Sequence, residues 1–307
     1  MSRPTSEQLP FQEFDIEGQA ISPFIELGAY EALWQKAGMS FKRLAEMHKD
    51  NEKAFPSSFV DHREARDIAK KVRDMLAHVG SFGIRVHGMI DYPDQLRDAA
   101  HPVELIYFQG RWDYVTTRMV AVVGTRNPTR RGVGLASDVV KRLITKDFTV
   151  VSGLAKGIDT VVHQTAIDHG GRTIGVLGTP LSSVYPRENG TLQRKMAKTH
   201  LIISQVPVWR YSQQKPNVNK FFFPQRNITM SALTEATIIV EAGETSGTLV
   251  QARAALQQKR KLFILDHCFK NPLLSWPSRF AKMGAIRVSG SDDILHHMHE
   301  SEEEIPH

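Results

Sequence analysis

The chain of 307 residues is 41% hydrophobic and 23% charged, enough to bury a full core and to hold one large domain with a smaller one beside it. Lysine and arginine outnumber aspartate and glutamate by 39 to 33, for a formal net charge of +6 and a pI near 9.4, which favours acidic partners such as nucleic acid. The single cysteine, Cys268, excludes an intrachain disulfide and a zinc framework, as expected of a cytoplasmic protein, and there is neither a signal-peptide pattern nor an apolar run of the ~18 residues a membrane helix needs.

Residues 1–22 are polar and proline-punctuated and are expected as a loose arm. Over 23–82 the apolar residues recur at helical spacing, first Leu27, Tyr30, Leu33 and Trp34, then Ile68, Val72, Met75 and Leu76, which predicts a small helical domain. Residues 83–113 read as a connector, with two short strands around the turn Asp91-Tyr92-Pro93. From Met119 onward short apolar runs alternate with longer amphipathic segments, the pattern of a doubly wound, mostly parallel α/β sheet. Strands are predicted at 119–123, 148–152, 173–177, 201–204, 237–241, 261–265 and 285–288, and helices at 131–146, 157–169, 188–199, 226–234 and 246–258. The main domain spans 83–298, and the acidic segment 299–307 is expected as a solvated tail. His296, His297 and His299 would point different ways on a helix end and give no specific metal site.

In a parallel sheet the loops after the strands emerge on one side, so turns distant in sequence can converge on one ligand. Three of them carry glycine or proline beside a basic side chain: Gly124-Thr125-Arg126, Ser152-Gly153-Leu154-Ala155-Lys156-Gly157 and Pro224-Gln225-Arg226-Asn227. Glycine lets backbone N–H groups approach phosphate oxygens, and a following helix points its positive N-terminus at them. A fourth turn, Ser246-Gly247-Thr248, offers hydroxyls and N–H groups to a further phosphate. Lys156 is poised to meet an anion or else is a solvated loop lysine, Asp159 suits a helix cap, and His163 reads as a packed histidine. The spacing of Gly124, Gly132 and Gly134 is not the dinucleotide fingerprint, and no Walker lysine, Ser/His/Asp ordering or paired carboxylates appear.

Phe221-Phe222-Phe223 precedes the arginine turn. Aromatic faces stack on unpaired bases while arginine meets the backbone, the combination used to hold single strands. One exposed ring is expected here, Phe222 or Phe223, the remainder being core.

In these residues the chain resembles the DprA (Smf) family of DNA-processing proteins, which bind single-stranded DNA and help load RecA. The resemblance runs from about Tyr92 to Leu295 through ordered blocks: Tyr92-Pro93, the turn at Arg126, Ser152 to Thr160 with His163, Gly171 to Gly178, Tyr185-Pro186 with Glu188-Asn189, Phe223-Pro224 with Arg226-Asn227, and Val240-Glu241-Ala242 with Ser246-Gly247-Thr248. It implies an extended Rossmann-like fold, a homodimer, a RecA-type recombinase as partner, and a non-enzymatic role in DNA uptake and recombination without a cofactor. It also implies a basic pocket for the DNA backbone, with Arg126, Lys156 and Arg226 at the matching positions. The helical N-terminal region resembles the family's small leading domain only in placement and general character.

Ile228 and Ser231 stand where many relatives carry a second basic residue and a glycine, and Asp266-His267 replaces a proline-glycine. No winged-helix-like domain is expected after Leu295. A rival reading is a nucleotide-binding module, or one similar to the LOG-type nucleotide phosphoribohydrolases, with a role in defence. There a carboxylate beside the sugar is required, and Gln251 puts an amide at that place.

Overall fold

Short runs rich in Val and Ile with no polar face are strands buried on both sides, and so the middle of the chain folds. The computed structural model describes residues 14–16, 19–49, 54–97, 99 and 101–303. In chain order the strands are β1 Phe14–Ile16, β2 Gln19–Ile21, β3 Gly83–Val86, β4 Leu105–Gly110, β5 Met119–Val123, β6 Thr149–Ser152, β7 Thr173–Leu177, β8 Leu201–Ser204, β9 Ala236–Ile239, β10 Lys261–Leu265 and β11 Ile286–Val288. β1 and β2 pair as an antiparallel hairpin, and the others form one nine-stranded sheet in the order β11-β10-β9-β5-β6-β7-β8-β4-β3. Neighbours from β11 to β8 run parallel; β4 and β3 add antiparallel at the β8 edge. This is the doubly wound, mostly parallel sheet that the alternating pattern predicts and the Rossmann-like fold that the resemblance implies, and 119–123, 173–177, 201–204 and 261–265 coincide with β5, β7, β8 and β10.

Alternation along each strand divides its side chains between two layers. On β5, Val120 and Val122 pack with Ala136, Val139, Val140 and Leu143 of the helix Arg130–Thr145, while Met119, Ala121 and Val123 face the opposite layer. Each fully buried aliphatic side chain contributes roughly 1.5–3 kcal/mol. The second layer also holds Leu27, Tyr30, Leu33 and Trp34 of the helix Pro23–Gln35. Segment 23–82, expected as a domain of its own, therefore shares one continuous core with the sheet. Its two long helices approach so closely at Gly28 that a Cβ there would lie 1.7 Å from the Ala65 carbonyl oxygen. Tyr30 then ties the first of them to the sheet by donating to the Gln205 carbonyl at 2.8 Å.

Two terminal expectations change. Of the arm, 14–16 and 19–21 are the β1–β2 hairpin, and residues 1–13, 17 and 18 lie outside the described residues. Of the tail, 299–303 continue the helix Ser291–Glu303, and 304–307 lie outside the described residues. Asp292 and Asp293 in its first turn suit the helix dipole.

The order of the strands decides where a ligand can sit. β5 to β8 step outward in sequence, and the chain then returns to lay β9 on the other side of β5 before reaching β10 and β11. The loops leaving β5 and β9 consequently diverge, and a crevice opens between them. Val123 lies opposite Ile239, so both loops start at one height.

Candidate functional site

A cleft of about 600 Å³ occupies this crevice, walled by the loops after β5 and β9, the helix Phe222–Leu233, and Tyr185. Of the residues that the sequence nominates, Gly124, Thr125, Arg126, Phe223, Arg226, Asn227, Ser246, Gly247 and Thr248 line it. Ser152, Gly153, Lys156, Gly157 and Phe222 lie outside its lining.

The loop after β5 is fixed by its neighbours. Thr125 N–H donates to the Glu241 carbonyl at 2.6 Å, and Thr248 Oγ1 donates to the Gly124 carbonyl at 3.2 Å. A Cβ on Gly124 would sit 2.6 Å from Ile158 and 2.8 Å from the Glu241 carbonyl oxygen, so no other residue fits there. Arg126 follows, exposed at the mouth. The helix beyond does not offer its N-terminus to a ligand. The Glu241 carboxylate already accepts from Thr129 N at 3.2 Å and Thr129 Oγ1 at 2.9 Å, and it closes over Gly132.

The loop 152–157 is likewise satisfied from within. Ser152 is buried and its hydroxyl donates to the Val122 carbonyl at 2.8 Å. Gly153 and Ala155 both donate their N–H groups to Asp159 Oδ2 at 3.2 Å. Burial raises the Asp159 carboxyl above its ordinary range, and the nearby Arg226 charge counters that shift. Asn189 holds the far side, its amide donating to the Leu154 carbonyl at 2.9 Å and the Ala155 carbonyl at 3.1 Å. Ser152 and Gly153 are therefore framework and not contact residues, because their polar groups are spent inside the fold. Gly157, with φ of 76°, allows the loop to touch the backbone of Thr125 and Arg126. Lys156 is exposed and forms an ion pair with Glu188, whose carboxyl that hydrogen bond lowers.

Arg226 also departs from its expected place. The helix begins at Phe222, four residues before the predicted start, and turns the guanidinium inward, where the side chain is 6% exposed. Its Nη1 donates to the carbonyls of Gly153 and, at 2.6 Å, Val176, while Nε donates to Asn227 Oδ1 at 2.8 Å. Burial lowers its pKa, and Asp159 works against that. A buried charge persists only when paired and hydrogen-bonded, and Arg226 meets that condition by tying β6, β7 and the helix together. Asn227 extends the tie by donating to the Gly247 carbonyl at 3.1 Å.

Phe222 is core, 2% exposed, with Trp34, Phe41 and Tyr211 around it at centroid distances of 6.0, 6.2 and 6.0 Å. Phe223 is half-buried on the cleft wall and packs on the exposed Tyr185 ring at 5.1 Å. Gly178 makes room for it, since a Cβ there would meet the ring at 2.5 Å. Tyr185 and the exposed Lys220 are cleft residues absent from the sequence-derived set. Signals existed for both: Tyr185 opens the block with Glu188-Asn189, and Lys220 abuts the phenylalanine run.

Ser246 Oγ accepts from Thr248 N at 3.2 Å, which shapes the fourth turn. The buried Gln251 amide lines the cleft and donates to Thr237 Oγ1 at 3.3 Å. His163 is wholly buried against Thr173 Oγ1 at 2.7 Å, and burial pushes its pKa down to about 3, so it stays neutral and packed. The cleft thus presents exposed cations, two aromatic rings and neutral polar groups, with the buried Asp159 and Arg226 also in its lining.

The sequence profile of DNA recombination-mediator protein A matches residues 84–299. The DNA processing protein DprA of Bacillus subtilis is 35% identical over 68% of this chain and 69% of its own length. That of Streptococcus pneumoniae is 32% identical over 66% of this chain and 70% of its own. The crystal structure of the S. pneumoniae protein superposes with a TM-score of 0.69 at 26% identity, over 87% of this chain and 97% of that one. DNA processing protein A of Helicobacter pylori, solved for its single-stranded DNA binding mode, shares the fold with a TM-score of 0.62 at 23% identity, over 72% and 97%.

Proposed function

The chain belongs to the DNA recombination-mediator protein A family of DprA-type DNA-processing proteins, and we propose that its part in that processing is to hold single-stranded DNA in the cleft between the β5 and β9 loops. One observation carries this reading: two exposed cations, Arg126 and Lys220, share the cleft with the rings of Tyr185 and Phe223. Cations at the mouth meet successive phosphates, and rings on the wall stack an unpaired base of any sequence. Duplex DNA keeps its bases inside the stack and gains only the first of these contacts.

Delivery of the bound strand to a RecA-type recombinase, a homodimeric assembly and a cytoplasmic setting complete the proposal, and the chain's membership of a recombination-mediator family supports the first of these. Among the described residues no helix is long and apolar enough to cross a membrane. A sugar-cleaving reaction is not favoured, because Gln251 occupies the place of the needed carboxylate and its amide donates to Thr237. The protein is read as non-enzymatic.

The test is binding of a fluorescent oligo-dT against matched duplex and free mononucleotides across a salt series. Preference for the single strand with a steep salt dependence is expected. Tight mononucleotide binding without DNA binding would overturn the reading.

A further inference from the structure

Three carboxylates stand where a phosphate would otherwise be received. Glu241 covers the N-terminus of the helix Arg130–Thr145, Asp159 takes the N–H groups of Gly153 and Ala155, and Glu188 pairs with Lys156. They differ in accessibility. Asp159 is buried, and Glu241 is held by three hydrogen bonds from Thr129. Glu188 and Lys156 keep 62% and 52% of their side-chain surface exposed, so of the three only this contact can open without disturbing the framework. Its placement is nonetheless fixed. Asn189, the next residue, bonds Leu154, Ala155 and Thr160 Oγ1 (2.9 Å), which clamps the Glu188 turn onto the loop that carries Lys156. Arg126 and Lys220 meet no carboxylate among the described residues.

We propose that Glu188, beside the cleft, is a specificity-determining residue, a built-in competitor that withholds Lys156 from phosphate groups of the DNA backbone. The inference rests on the single-stranded DNA reading of the site. The lysine and glutamate together carry no net charge, so the intact pair neutralises no phosphate and releases no counterion. Arg126 and Lys220 supply the basal electrostatic attraction, and Lys156 is added only where a phosphate displaces a carboxylate of comparable strength. A single phosphate gains little from that exchange, because one anion replaces another. A polyanion already held by Arg126 and Lys220 presents its next phosphate at high local concentration and can win it. Glu188 in this way biases the cleft toward chains of phosphates and against isolated ones.

The experiment is fluorescence-anisotropy titration of oligo-dT over a potassium chloride series with four proteins: wild type, Glu188→Gln, Lys156→Ala, and the double variant. Thermal melting of each reports folding, and Glu188→Ala repeats the measurement in case the amide still holds the lysine. Glu188→Gln is expected to bind roughly two- to five-fold tighter, the range for an exposed pair. Its salt slope should steepen by about 0.7, one single-strand phosphate contact. Lys156→Ala should cost less affinity and slope in the wild type, where a phosphate must first displace Glu188, than in the Glu188→Gln background, where it should remove the whole gain. If wild type binds oligo-dT but Lys156→Ala costs the same in both backgrounds, Glu188 is no competitor and the inference falls while the DNA reading stands. If wild type does not bind oligo-dT at all, both fall.

Discussion

Arg226 donates through Nη1 to the backbone carbonyl of Gly153, a residue 73 positions earlier in the chain. The contact makes an arginine that looks like a phosphate ligand into a brace of the fold, and it accounts for the glycine as well. A Cβ at Gly153 would lie 2.0 Å from that same nitrogen.

Replacing Arg226 by alanine leaves the carbonyls of Gly153 and Val176 buried without this donor. Each orphaned group costs about 1–3 kcal/mol, so Arg226→Ala is expected to lower stability by roughly 3 kcal/mol in total, and Gly153→Ala to do comparable damage by expelling the guanidinium. Urea unfolding of both variants checks this. A loss below about 0.5 kcal/mol for either would mean that the brace is not structural.

Arg126→Ala and Lys220→Ala touch exposed side chains and should leave the melting temperature unchanged. Each is expected to weaken oligo-dT binding and to reduce the salt slope by about 0.7. Unchanged slopes in both variants would remove these residues from the phosphate path.

Loss of a ring has a different signature. Tyr185→Ala and Phe223→Ala should each cost about 1–3 kcal/mol of single-strand binding, and the deficit should persist at high salt, where the deficit of a cation variant fades. Equal affinity of wild type and Tyr185→Ala in 0.5 M salt, an ionic strength on the order that screens exposed charges, would argue against stacking.

His163 gives a pH prediction. Its native pKa is depressed to about 3 from an ordinary 6.5, so below pH 6.5 the unfolded chain takes up a proton that the native one refuses. Its stabilising contribution is complete above the unfolded value and is lost as pH falls toward the native one, at about 1.4 kcal/mol per pH unit. His163→Gln should flatten the wild-type decline in unfolding free energy between pH 6 and about 4. Parallel curves for the two proteins would contradict the assignment.

The strands were legible because β5, β7, β8 and β10 are apolar on both faces and end at a polar residue or a glycine, a signal that needs no tertiary information. The start of the helix Phe222–Leu233 was not, since Pro224 reads as a turn. In the first turn of a helix its missing N–H costs nothing. That shift of one turn carried Phe222 into the core and Arg226 under the sheet edge. The inward arginine was invisible for a second reason: arginine is seldom buried, and its acceptors are backbone carbonyls of β-strand ends, which no side-chain pattern reveals. The convergence of the loops on one edge followed from topology, whereas their saturation by Asp159, Glu188 and Glu241 depends on distances that only the folded chain supplies.

The level start of the β5 and β9 loops, with Val123 opposite Ile239, bears on the kinetics of capture. Two walls of the cleft hang from adjacent strands in register, and a third, the helix Phe222–Leu233, is pinned to β6 and β7 by Arg226. Folding alone orders the backbone of the cleft, so the single strand proposed to bind there would meet a preformed site. Association should then proceed at the rate of encounter, quickening as ionic strength falls, with no slow rearrangement following the first contact.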